Sequence, residues 1–294
     1  MAPESIVVFR SADRAACDER AFMMLAVNIA WSIEVDGAEF VLLVAEADAE
    51  RALTQLRLYE SERRRPLLQS PPKPYSFPHA WLGATIYVFV LMLVAFAVSN
   101  GWWRVDAFDV GELDAARVQN GQWWRAVTAL TLHLDGNHLL ANLGAGVWFG
   151  YLAAQQLGVG SAWLLIVGGA ALANWLEAQL GPAAHRAVGA STAVFTALGM
   201  LAAYTWRRRF HYRQNWARRW GPLVAGVVLL GWLGTEGEHT DLVAHALGFT
   251  VGCLIGATAA VAAMRRMLRR VPQWLGGLLA MAALLGAWVC ALRG

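Results

Sequence analysis

Charge is scarce in this chain. Only 15 % of its 294 residues are Asp, Glu, Lys or Arg, against roughly a quarter in soluble domains, which excludes an ordinary water-soluble globule. Cysteine is scarce too: Cys17 lies in the polar N-terminal region, Cys253 and Cys290 in apolar runs. That placement has neither a disulfide framework nor metal-ligand spacing, so the three read as small packing residues. No His-Glu-x-x-His is present. His133 and His138 stand five positions apart and diverge by about 140° on a regular helix, which argues against a zinc pair. No metal and no cofactor are expected. Glu4, Arg10, Asp13 and Arg14 leave no apolar core of signal-peptide length near the start. No cleaved leader is therefore expected, and the polar first segment should stay on the synthesis side of a membrane.

Apolar residues are abundant. They make up 57 % of the chain, the mean hydropathy is +0.42, and there are 15 Trp, a residue that gathers at membrane interfaces. The fold class this implies is an all-α polytopic membrane protein, with the lipid bilayer as its first partner. A net charge of +3 could suggest nucleic acid. The arginines instead cluster beside apolar runs, the positive-inside pattern rather than a phosphate-binding stripe, so no nucleic-acid partner is expected.

Residues 1–60 form a separate region. Residues 5–9 read as a strand, 12–28 as a helix, 31–35 and 39–44 as a hairpin around Asp36-Gly37, and 47–60 as a closing helix. The order suggests a small α+β soluble domain on the cytoplasmic side. Residues 61–79 are a linker, with Arg63, Arg64 and Arg65 followed by Pro66, Pro71, Pro72, Pro74 and Pro78. Spans of about 20 apolar residues follow. They are expected at 80–99, 126–156, 161–180, 190–206, a short 221–234, 241–264 and 272–292. The stretch 100–125 is a polar insertion whose Trp102, Trp103, Trp123 and Trp124 suit the headgroup level. Arginines gather between the fourth and fifth spans (Arg207, Arg208, Arg209, Arg213, Arg218, Arg219) and between the sixth and seventh (Arg265, Arg266, Arg269, Arg270). Seven crossings from a cytoplasmic N-terminus put both clusters in the cytoplasm.

Under that topology the fourth, second and sixth spans all begin on the outer side. Their polar residues, Ser191, His138 with Asn142, and His245, then share one depth. Ionisable residues inside spans are functional candidates by default. Ser191 follows Gly189-Ala190 at the opening of an apolar run. There a helix N-terminus favours negative charge, as a serine nucleophile and an oxyanion both require; the alternative is a simple helix cap. Gly248, Gly252 and Gly256 follow His245 on one helical face, a small-residue seam that permits close backbone approach, and Gly199 offers a similar gap. His138 and Asn142, four apart, can both donate to an oxyanion.

Trp124-Arg125, His133-x4-His138-x3-Asn142, Gly189-Ala190-Ser191 and Ala244-His245-x2-Gly248-x3-Gly252 together resemble the motif set of rhomboid intramembrane serine proteases of the bacterial type, in the family's order. The resemblance covers about residues 80–265, with 266–294 as an added C-terminal transmembrane helix. It implies a six-helix core whose Ser–His dyad opens to the extracytoplasmic side of a bacterial inner (plasma) membrane. It makes Ser191 the nucleophile and His245 the base. His138, Asn142 and the Ser191 N–H, behind Gly189 and Ala190, become the oxyanion hole. Phe195 would pack on the dyad histidine, and Trp124 and Arg125 would brace the first loop. The implied activity is endopeptidase cleavage of transmembrane protein substrates, rising with pH as an imidazole of ordinary pKa ~6.5 loses its proton.

Thr192 stands where the family usually has glycine. It is the one feature favouring the alternative, a non-catalytic rhomboid-like protein that binds transmembrane clients. A transporter would distribute its polar residues over several depths, and no internal repeat is evident. Asp241, one turn before His245, could complete a triad, or lie in the outer loop with Glu236, Glu238 and His239.

Overall fold

The computed structural model describes residues 5–63, 76–210, 216–233 and 241–294. Contacts divide the chain into two units, Met1–Ser70 and Pro71–Gly294.

The first unit runs β1 (Ser5–Ser11), α1 (Arg14–Ala26), β2 (Trp31–Asp36), β3 (Glu39–Ala45) and α2 (Ala49–Arg63). Its antiparallel sheet has the order β1-β3-β2. Gly37, at φ +65°, makes the β2–β3 turn, a conformation that glycine adopts without Cβ strain. Asp13 caps α1 by accepting from the Ala15 N–H at 3.0 Å. Met24, Ile29, Leu42, Val44, Ala52 and Leu56 fill the core. Arg20 is buried and held at its terminal nitrogens: it donates to the Ala16 carbonyl at 2.8 Å, pairs with Glu60 and lies over the Phe9 ring.

The second unit is helical. Its long helices are α3 (Ala80–Ser99), α7 (Gly136–Leu157), α8 (Val159–Leu180), α9 (Ser191–Phe210), α10 (Trp216–Leu233), α11 (Leu242–Ala259) and α13 (Gln273–Arg293). Between α3 and α7 lie the short α4 (Ala107–Gly111), β4 (Leu113–Asp114), α5 (Ala115–Gln119) and α6 (Arg125–Thr128). The strand β5 (Arg186–Ala187) precedes α9, and α12 (Ala262–Arg270) follows α11. Among the described residues α3, α8, α11 and α13 are long and apolar enough to cross a membrane. This is an integral membrane protein. Several boundaries differ from those expected, among them the end of the fourth span, at Phe210, and the start of the fifth, at Trp216. The second helix begins at Gly136, not near residue 126, because the Asp135 carboxylate accepts from the His138 N–H at 2.8 Å and starts the helix there. Residues 125–131 form α6 and a 3-10 turn instead. The sixth span ends at Ala259, before the extended Val261 that caps α12. The linker's first residues, 61–63, continue α2, and residues 64–75 lie outside the described ones.

Small residues set the packing. Trp163 of α8 fills the gaps left by Gly83 of α3 and Gly150 of α7 and stacks on Tyr87 at 5.1 Å. The Tyr87 hydroxyl donates to the Asn142 carbonyl at 2.8 Å. Gly160 and Gly276 bring α8 and α13 into backbone contact. Trp288 of α13 stacks on Trp103 and donates to Thr131 Oγ1 at 3.1 Å. The seventh long helix is therefore built into the bundle.

Candidate active site

Two helices carry the centre of the site. A Cβ on Gly248 would meet the Thr192 carbonyl oxygen at 2.7 Å; one on Gly252 would overlap the Thr196 carbonyl, and one on Gly256 the Met200 carbonyl. Each successive glycine of α11 thus faces the next turn of α9 in the same chain direction. The helices run parallel with their backbones touching, and Gly199 admits the Phe249 carbonyl from the other side. Such contact is open only to residues without side-chain bulk. The register sets His245 level with the turn that bears Ser191. The Phe195 ring, one turn into α9, lies 4.3 Å from the His245 imidazole, centroid to centroid. His245 is buried and Ser191 half-buried.

The turn before Ser191 is held from several sides. The Gly189 N–H donates to the Ala129 carbonyl at 2.9 Å. The Ala190 N–H donates to His133 Nε2 at 3.3 Å, so His133 must be neutral to accept it. Burial, with His138 beside it, pushes His133 down to about 4, which keeps that acceptor available. Gly189 has φ +132°, a conformation that strains any L side chain. A Cβ there would also sit 2.7 Å from His138 Nε2 and 3.8 Å from Ser191 Oγ. The His138 ring and the Ser191 hydroxyl therefore border the same small space. Asn142 is buried, and its amide donates to the His138 carbonyl at 2.9 Å, leaving one of its two N–H groups for another acceptor.

A buried guanidinium braces the surrounding insertion. Arg125, 2 % exposed, donates to the Asp109 and Glu112 carbonyls at 2.7 and 2.9 Å and to Gln122 Oε1 at 2.6 Å. Trp124, half-buried, packs with Val94, Leu132 and Trp288. β4 pairs with β5, Leu113 opposite Ala187, so the insertion is stitched to the segment that leads into Ser191.

Thr192 is 3 % exposed and its methyl faces Gly248. It occupies the α9–α11 seam, opposite Gly248. Asp241 caps α11, its Oδ1 accepting from the Ala244 N–H at 3.0 Å, while its Oδ2 lies 3.0 Å from His185 Nε2. Glu236, Glu238 and His239 lie outside the described residues.

An open cavity of about 980 Å³ reaches the site, lined by His138, Asp135, Glu177, His185, Asp241 and neighbours. Sequence reasoning passed over Glu177 and His185. The signal for Glu177 was present, since an acid inside an apolar span is a functional candidate by default; His185 in a polar loop gave none.

The Rhomboid domain family model matches residues 120–262. YdcA of Bacillus subtilis (strain 168), described as a candidate rhomboid protease, is 27 % identical over 155 residues, covering 52 % of this chain and 73 % of that protein. Rhomboid-like protease 2 of Toxoplasma gondii is 28 % identical over 141 residues, 47 % of this chain and 48 % of that protein, so this chain spans about half the length of that relative. Ser191, His245, His138, Asn142 and the glycine seam all fall within residues 120–262, the part of the chain that matches the Rhomboid domain family.

Proposed function

We propose that the protein is an intramembrane serine endopeptidase that cuts transmembrane segments with a Ser191–His245 dyad. One observation carries this reading: the parallel contact of α9 and α11, which lays the Phe195 ring on the His245 imidazole at the level of the Ser191 turn. Neutral His245 takes the Ser191 proton as Oγ bonds to the scissile carbonyl carbon. The electron pair released onto the carbonyl oxygen is met by the His138 ring N–H, the remaining Asn142 amide N–H and the Ser191 backbone N–H. One such donor is worth roughly 3–4 kcal/mol of barrier. His245 then hands its proton to the leaving amine. Water, entering by the cavity beside His138, repeats the sequence on the acyl-enzyme.

A helical substrate hides its carbonyls in i to i+4 hydrogen bonds, so it must unwind at the cut. Segments with glycine or other weak helix formers there are the favoured class. Helix α10 is the candidate gate: Pro222 lies within it, and Val224, Val227, Val228 and Trp232 are exposed along it. The arginines at the end of α9 and the start of α10, and those in α12, support a cytoplasmic N-terminus, with the site opening outward across a bacterial inner membrane. The first unit, whose described residues form no candidate site, is assigned a cytoplasmic docking or regulatory role.

The test is incubation of the purified protein in detergent with a single-span substrate. Wild type should cut it and Ser191→Ala should not; equal cleavage by both, or by neither, contradicts the reading.

A further inference from the structure

Outside the dyad one group of side chains has no role in the chemistry above. Glu177, near the end of α8, is 2 % exposed; the Asp241 carboxyl and the Ala244 N–H approach its carboxylate, but neither oxygen completes a well-formed hydrogen bond among the described residues. A carboxylate that deep requires a proton or a cation. His185 Nε2 lies 3.5 Å from Glu177 Oε1 and 3.0 Å from Asp241 Oδ2, and neither approach is a hydrogen bond. One donor atom from each of the three residues falls within 4.8 Å of the others. Donors bound to one ion at about 2.0–2.2 Å, at octahedral to tetrahedral angles, lie roughly 2.8–3.6 Å apart. Both short separations fall in that range.

We propose that Glu177, His185 and Asp241 hold a first-row divalent cation, with Zn²⁺ as the best match. Two carboxylates balance the ion's charge. The imidazole nitrogen selects against Mg²⁺ and Ca²⁺, which take oxygen donors. All three residues line the cavity that also reaches His138, which would give the ion a way in and room for bound water. The donors are fixed before it arrives. Asp241 is oriented by its cap to Ala244, and the His185 backbone is pinned by the Ala115 N–H at 3.0 Å. Glu177 sits on a packed helix. The ion would tie three elements together: the end of α8, the segment six residues ahead of Ser191, and the first turn of α11, four residues before His245. It therefore braces the dyad without touching substrate.

Full-length protein in detergent, with any affinity tag removed and stripped with EDTA, is titrated calorimetrically with Zn²⁺. Wild type and Ser191→Ala should each bind one equivalent. Ser191→Ala separates this claim from the protease reading, because cleavage can fail while binding stands. Glu177→Gln, His185→Ala and Asp241→Asn should each weaken binding at least tenfold. Asp241→Asn keeps the helix cap, and His185→Ala changes only a loop side chain, so loss of fold in Glu177→Gln would not obscure the result. His133→Gln should bind as wild type does. Zn²⁺ should also raise the melting temperature of the stripped wild type and leave that of His185→Ala unchanged. Absence of a stoichiometric site, equal binding in wild type and the three variants, or loss of binding in His133→Gln overturns the proposal; in the first case Glu177 is simply protonated.

Discussion

At the scale of single residues, the turn before Ser191 concentrates the constraints. Gly189 is required twice, by its φ of +132° and by the His138 ring 2.7 Å from where a Cβ would stand. Gly189→Ala should destabilise the protein by about 1–3 kcal/mol and abolish cleavage, read by thermal melting and substrate turnover. His133 offers a pH prediction. Its folded value, about 4, lies below the ordinary 6.5, so the unfolded chain binds the extra proton first. Stability from this residue is intact above about 6.5 and is lost as pH falls toward 4. The melting temperature of wild type should fall over that window, and His133→Gln, which can still accept from Ala190 without titrating, should fall less. These contacts were only partly legible. The motif spacing picked out His133 and His138 together, but that His133 turns back to accept from Ala190 depends on the 129–135 segment folding against the turn. A helix running straight through residues 126–156 would have hidden it.

At the scale of elements, the glycine seam decides. A Cβ on Gly252 would overlap the Thr196 carbonyl, so Gly252→Ala must push α9 and α11 apart. Overpacking of this kind costs about 1–3 kcal/mol, and the displacement should lower turnover at least tenfold. Gly277→Ala on α13, where a Cβ meets nothing within 4 Å, is the control. It should keep activity and gain up to about 1 kcal/mol from lost backbone freedom in the unfolded chain. Periodicity alone exposed this seam, because Gly248, Gly252 and Gly256 repeat every four residues on the face that holds His245. Helix ends were less legible. The start of α7 is set by the Asp135 cap and the end of α11 by the turn into α12, local hydrogen bonding that hydropathy does not register. Thr192 likewise looked like an intrusion in sequence, and is accommodated because the residue opposite it is Gly248.

At the scale of the molecule, the chain is two units with separate cores. Residues 1–63 expressed alone should give a soluble fragment with a cooperative melt by circular dichroism, held by Met24, Leu42 and their neighbours. A non-cooperative trace would show that this core depends on the rest of the chain. The alternating strands and the Asp36-Gly37 turn made this unit readable. The group of Glu177, His185 and Asp241 was not readable, since its members are spread over α8, a loop and a helix cap and meet only after folding. The same holds for α13, which looked like an appendage and instead packs on α8 through Gly160 and Gly276. The central claim concerns how two of these helices meet, and labelling with a fluorophosphonate serine probe tests it most directly. Wild type should be modified at Ser191 alone, Ser191→Ala not at all, and His245→Ala at least a hundredfold more slowly. Labelling at another residue, or at an unchanged rate without His245, would contradict the account.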